Sequence, residues 1–585
     1  DVMAGRERAY DLVIRGGTVI DGSGAPGREA DVAVKDGRIA AVGAVSGSGA
    51  EEIDARGRIV TPGFVDIHTH YDGQVTWDHH LAPSAWHGVT TAVMGNCGVG
   101  FAPCRPEDHD RLIRLMEGVE DIPHPVLAEG LPWNWESYPD YLQSLSGRAY
   151  DLDVGAQLPH AALRVFVMDE RGANREPASP ADIAAMSALA KRAMEAGALG
   201  FSTSRTLNHR TSDGQPTPTL TAAEDELMGI ALGLKAAGRG VLQFVSDFAD
   251  PKAEFGLMRR LVEASGRPLS FSLLQGPKAP DAWRDLLAAL SAATAEGLPM
   301  RAQVCGRGVG VLLGFELTLN PFSHTEAWKW VAALPLEQRM ARLAEASFRA
   351  ALLDDAVPPG GAAIASRLTR DWDNMFLMAE TPDYEPRRED SIGALARARG
   401  VAPEAVALDH MMTRGGRGML YLPFLNYADG GLDPAYDMLR HPDCVAGLSD
   451  GGAHVGMICD GSFPTTNLTL WARDRTRGPR LPLEHMIRLQ TRATAETVGL
   501  LDRGLVAPGL RADLNVIDFD RLAVEPPTVG YDLPAGGRRL LQRARGYVAT
   551  LVAGQVTYRD GEPTGALPGR LVRGAQDAPA ALAAE

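Results

Sequence analysis

The 585-residue chain carries 58 basic and 74 acidic side chains, for a net charge of −16, with 45% apolar and 23% charged residues. That composition excludes wholesale disorder and, with no Lys/Arg-rich block, excludes nucleic acid as the main partner. The five cysteines (97, 104, 305, 444 and 459) are scattered without a CxxC pair, which points to a reducing compartment, and no apolar run of about 18 residues announces a membrane span.

The opening DVMAGRERAYD has no signal-peptide core. Met3 reads as the natural start, and a cytoplasmic protein is expected. Short strands separated by glycine turns follow: DLVIRGGTVIDGSG, ADVAVKDGRIAAVG and EEIDARGRIVTPG. The same texture returns in ADLNVIDFD and YVATLVAGQVTYRDGEP near the other end. Neither end holds a sizeable core alone, so residues 1–63 and 503–585 are expected to pair into one small β-sandwich domain.

Between them, apolar runs alternate with helical patterns: FVDIHTH, GVTTAVMGNCG, DVGAQLPH, GALGFSTS, GVLQFVSDF, PLSFSLLQ, PMRAQVCG and CVAGLSDGG. Amphipathic stretches such as ADIAAMSALAKRAMEAG separate them. Strand and helix in alternation imply a parallel sheet, and eight repeats favour a closed (β/α)8 TIM-type barrel over 64–502 against an open doubly wound sheet. Insertions at about 104–150 and 307–440 interrupt the count, the first with the aromatic segment LPWNWESYPDY. Insertions at strand ends shape active sites, although single tryptophans there more often pack a helical subdomain.

His68 and His70 stand one residue apart in the first strand, so both face the same side. Imidazole suits zinc and related divalent ions, but an HxH pair alone is more often structural. Its position, immediately after a β-domain and opening a barrel, favours the metal.

Taken together, VTPGFVDIHTHYDG, NCGVGFAPC, the closing LSDGG and TRATAETVGLLDRGLVAPGLRADLNVIDFD resemble the amidohydrolase superfamily, in its N-acyl-D-amino-acid deacylase (D-aminoacylase) branch. The resemblance implies His68, His70 and Cys97 as metal ligands and Asp450 as ligand or proton shuttle; both roles for Asp450 stay open. It places His160, after strand three, as a donor to the developing oxyanion. Arg205, His209 and Arg210, after strand four, fit a substrate carboxylate, and His454 either orients Asp450 or touches substrate. Against these stand plainer readings: Cys97 as inert core, SDG as a turn, and the strand-four loop as solvated arginines. His410, His441 and His485 read as structural, and His79 and His80 fall too far past the strand end.

The chain also departs from the family. Strands five and six lack the histidines that relatives supply, leaving Gln243, Ser246, Asp247, Ser272 and Gln275 as substitutes, and strand four lacks a bridging lysine or glutamate. One divalent ion, zinc, is therefore favoured over two. The arginine expected after Asp450 has no match in AHVGMICDGSFPTT. The expected activity is metal-dependent hydrolysis of a C–N amide in a small molecule, most simply an N-acyl-D-amino acid. The alternatives are a cyclic amide and a catalytically degenerate binding scaffold. A homo-oligomer is permitted.

Overall fold

The structure, a computed structural model, describes residues 8–355 and 368–580. The outermost residues of the expected β-domain (1–7 and 581–585) and residues 356–367 of the second insertion lie outside the described residues.

All eight apolar runs form strands of one sheet: β1 (Phe64–Asp66), β2 (Val89–Met94), β3 (Asp153–Pro159), β4 (Gly200–Arg205), β5 (Val241–Ser246), β6 (Leu269–Ser272), β7 (Met300–Val304) and β8 (Cys444–Ala446). Each is parallel to its neighbour. VTTAVM and DVGAQLP are buried along their whole length, as a parallel strand covered on both faces requires. Phe244 and Phe271 are register partners, and Phe271 meets Phe255 of helix Pro251–Ser265 edge to face at 5.9 Å. These rings therefore point outward to the helical layer, and the alternate residues Gln243, Ser270 and Ser272 point into the barrel. The ring closes just beyond the formal strands, where Thr69 bridges Gly451, His70 N donates to Gly451 O (2.7 Å) and Asp450 N donates to His68 O (3.0 Å). The flanking helices are well punctuated. Pro180–Ala196 opens on a Ser179/Asp182 capping box and stops at Gly197, whose φ of +115° suits glycine.

The two chain ends meet in a nine-stranded sheet, where Leu514–Ile517 lies antiparallel to Ile59–Pro62 with Val516 opposite Val60. Its core includes Ile14, Val32, Val60, Leu514 and Leu551. The C-terminal segment does more than the sequence suggested. A hairpin of Thr528–Leu533 and Gly537–Leu541 reaches the loop after β8, with Leu540 N donating to Val455 O. Gly569 and Leu571 then bridge Tyr150 and Val154 against the barrel.

The first insertion folds into helices His109–Glu120, His124–Gly130 and Tyr138–Ser146. Its aromatics pack: Trp135 Nε1 donates to Phe101 O, and Trp133 stacks on His109. The second carries a three-stranded sheet (Val309–Leu313, Phe376–Leu377, Leu420–Leu425) over its own core around Phe322, Leu343 and Met411. Among the described residues no helix is long and apolar enough to cross a membrane.

Candidate metal centre and active site

His68 and His70 continue the line of β1 at the end of the barrel where the insertions emerge. Asp66 braces them: its Oδ1 accepts from His68 N (3.1 Å), and its Oδ2 accepts from Ser449, whose Oγ also donates to His68 O. Cys97 follows β2 in the tight turn Asn96–Gly98 at φ +59°. Gly95 precedes it at φ +80°, where a Cβ would lie 2.2 Å from Gln157 O, so glycine is required. Asn96 Nδ2 donates to Thr69 O and Val93 O, which ties this turn to the segment between the two histidines.

Sequence separation vanishes at the cluster. One donor atom from each of His68, His70 and Cys97 lies within 4.8 Å of the others, all three residues being buried. Cys97 Sγ is 3.4 Å from His68 Nε2 and 4.0 Å from His70 Nε2. Asp450 Oδ1 stands beside them, 3.3 Å from His68 Nε2 and 3.2 Å from His70 Nε2. Its side chain is 22% exposed, against 1% for each histidine. It is the member of the set that faces the mouth.

Burial holds His68 down at about 4 and His70 at about 3, so both imidazoles are neutral near pH 7 with lone pairs to offer. Burial, then Glu120, Asp450 and Asp72, push the Cys97 thiol up. Glu120 is raised by burial and by Asp450 and Asp72, and Asp72 is raised by burial to about 7. Two neutral imidazoles, a thiol and a carboxylate thus share one buried spot beside two further buried carboxyls, at a high cost in desolvation and repulsion. A dication relieves every part of that cost, and the N, N, S, O donor set is one zinc accepts. The residues fit a metal.

The second layer is equally specific. His68 Nδ1 meets Gln303 Oε1 at 2.9 Å, and Gln303 Nε2 donates to Ser270 Oγ. Gln303 as acceptor puts the proton on Nδ1 and leaves Nε2 free for metal. Gln243 Oε1 accepts Cys97 N at 3.0 Å. Glu120, the last residue of helix His109–Glu120, approaches both His70 and His454. A polar residue inside the apolar run PMRAQVCG is a readable hint of Gln303; Glu120 closes an ordinary amphipathic helix and gives no such hint.

The remaining expected residues divide sharply. His160 lies outside the wall of the barrel. Its Nδ1 meets Thr203 Oγ1 at 2.7 Å and its Nε2 meets Glu226 Oε2 at 2.6 Å, with no exposure. Thr203 faces outward on β4, whereas its neighbour Ser202 faces the Cys97 turn, donating to Gly95 O and accepting from Gly98 N. Alternation along the strand therefore puts His160 behind the site with both nitrogens engaged, and an oxyanion role does not fit. Arg205 is spent on a bidentate pair with Glu254 and on Ala222 O. Arg210 binds the carbonyls of Leu207 and Gly214 on an exposed loop. Neither guanidinium is offered to a substrate. His209 and His454 do reach the cluster. His209 Nδ1 meets Ser204 Oγ at 2.6 Å, and burial, then His454, His70 and His68, hold it down at about 3.

Of the substitutes on strands five and six, Ser246 bonds Glu254, Asp247 accepts from Thr206 and Leu207, and Gln275 binds Pro280 and Asp429. Gln243 Nε2 and Ser272 Oγ are buried without a partner. His79 and His80 turn away, to Ala149 O and Asp151. His410, His441 and His485 are bonded within the scaffold.

A parallel barrel carrying paired histidines on its first strand and a carboxylate after its last defines a metal-dependent hydrolase of C–N bonds other than peptide bonds. The amidohydrolase family model matches residues 51–558, and the chain belongs to that family, in its D-aminoacylase-like branch. It is 30% identical to an uncharacterized protein of Mycobacterium tuberculosis, over 94% of this chain and 92% of the relative. It is 29% identical to an N-acyl-D-aspartate deacylase of Alcaligenes xylosoxydans xylosoxydans, over 96% and 95%. The crystal structure of D-aminoacylase superposes with a TM-score of 0.62 at 24% identity, covering 96% of this chain and all of that one. N-acyl-D-glutamate deacylase of Bordetella bronchiseptica, solved with zinc and a phosphonate inhibitor, gives 0.62 at 23%, over 96% and 99%. At these identities the structures speak for the fold.

Proposed function

We propose that the protein deacylates N-acyl-D-amino acids with one zinc ion held by His68, His70 and Cys97 and flanked by Asp450. The observation that carries this reading is the convergence of those four side chains from β1, β2 and the loop after β8 on one buried point. When bound, the ion polarises the acyl carbonyl and lowers the pKa of water toward about 7. Asp450, the least buried member of the set, takes the proton of the attacking water and returns it to the leaving nitrogen, giving a carboxylate and a free amine. His209 and His454 line the approach and hydrogen-bond the substrate.

The test is metal analysis of untagged protein, followed by a panel of N-acetyl-D- and L-amino acids, cyclic ureides and lactams. The expected result is about one zinc per chain, D-selective release of acetate, loss of turnover on chelation and recovery on adding zinc. Turnover confined to cyclic amides would replace the substrate. A metal-free protein inert to the whole panel would leave a binding scaffold.

A further inference from the structure

Helix His109–Glu120, from the insertion between β2 and β3, brings one carboxylate against two imidazoles. Glu120 is 1% exposed, with Oε1 3.4 Å from His70 Nδ1 and Oε2 3.1 Å from His454 Nε2. His70 Nδ1 and Glu120 Oε2 are both buried and make no well-aligned hydrogen bond, so the imidazoles facing Glu120 are the nearest groups of complementary character to them. Both contacts are close enough to tighten into charge-assisted hydrogen bonds when a cation sits on the far side of His70. Backbone clamps keep Glu120 in place. His454 N donates to Glu120 O, and Asp121, at φ +48°, accepts from Thr318 Oγ1 at 2.8 Å and from Gly456 N at 3.3 Å. The helix end is thus pinned between the second insertion and the loop after β8.

We propose that Glu120 is a positioning residue of the metal centre. One oxygen holds His70 with its Nδ1 proton toward the carboxylate and Nε2 free toward Cys97 and Asp450; the other holds His454 at the mouth. A carboxylate behind a ligand histidine fixes its tautomer and strengthens it as a donor. His68 has the neutral Gln303 in the corresponding place, hydrogen-bonded at 2.9 Å, so the two ligand histidines are unequally backed, one by an amide of the barrel and the other by an ionisable carboxyl from the insertion. The inference rests on reading the cluster as a metal site and is independent of the substrate.

Zinc affinity, measured by competition with a chromophoric chelator, tests it on untagged wild type, Glu120→Leu, Glu120→Gln and His454→Ala. Glu120→Leu is expected to weaken zinc binding about 10- to 100-fold without lowering the melting temperature of the zinc-free protein. Glu120→Gln, which keeps an oxygen for one imidazole, loses less. His454→Ala keeps wild-type zinc affinity and raises KM. Zinc held as tightly by both Glu120 variants as by wild type overturns the proposal; should Glu120→Leu fail to fold, Glu120→Gln at wild-type affinity does so alone. A wild type that binds no zinc overturns it together with the metal reading. Normal zinc binding without deacylation of any N-acyl amino acid overturns only the functional reading.

Discussion

Asp450→Asn separates the two roles open to that side chain. The substitution is sterically neutral and the backbone tolerates it: Asp450 sits at φ +50°, a region asparagine occupies readily. Its N–H bond to His68 O does not involve the side chain. Losing the charge removes a repulsion felt by buried Glu120 and Cys97, so the zinc-free fold should be no less stable than wild type. His68, His70 and Cys97 remain as a three-donor set, and zinc affinity should fall by about tenfold, ~1.4 kcal/mol. Turnover should fall much further. Positioned general-base catalysis contributes about 10²- to 10⁴-fold, ~3 to 5 kcal/mol of barrier at ~1.4 kcal/mol per decade. The assay is acetate release from N-acetyl-D-leucine by protein whose zinc content is measured in the same sample. A zinc-loaded Asp450→Asn enzyme within tenfold of wild type would refute the base. A variant that cannot retain zinc at all would make Asp450 a ligand first.

His160→Ala should destabilise the fold by roughly 2–4 kcal/mol, because it strips partners from buried Glu226 and Thr203. The kcat of the folded fraction should stay within a few-fold, as denaturant melts and active-site titration will show. Arg205→Met should lower stability through the loss of its pair with Glu254 and leave KM unchanged; a large rise in KM would restore the arginine to the substrate. Burial holds His87 down at about 4, with Thr465 and Gln542 O on its two nitrogens. The unfolded chain, with its imidazole near 6.5, therefore takes up the proton first, and stability falls as pH drops from about 6.5 to 4, by up to ~3 kcal/mol. Melts of wild type and His87→Gln across that window should converge at low pH.

Much of this was legible because parallel strands are written as apolar runs. β2 and β3 are buried on both faces, and the shorter β1, β6 and β8 are buried along their whole length too. His68 and His70 were readable from a spacing of two, and Cys97 and Asp450 from the motifs around them. What failed was the facing of side chains past a strand end. His160 opens a helix, and the turn of the chain there swings it behind β4. Arg205 ends β4, where its partner Glu254 comes from helix Pro251–Ser265 after β5 and is invisible to local pattern. Glu120 enters from an insertion, and only tertiary packing joins it to His70.

The seam of the barrel carries a consequence of its own. The first and last strands are joined by the backbone of the very residues that carry the site, through Thr69 and Gly451, His70 N to Gly451 O, and Asp450 N to His68 O. His70 and Asp450, 380 apart in sequence, meet across that join, so completing the ring and bringing Asp450 to the other three side chains are one event. His68, His70 and Cys97 come from the adjacent β1 and β2 and can meet before the ring closes, but Asp450, the proposed base, joins them only at the seam, so a partly folded chain could hold a metal without hydrolysing anything. Hydrolytic competence arrives only with the last closure, and the return of turnover during refolding, not metal uptake, should report the moment the circle is complete.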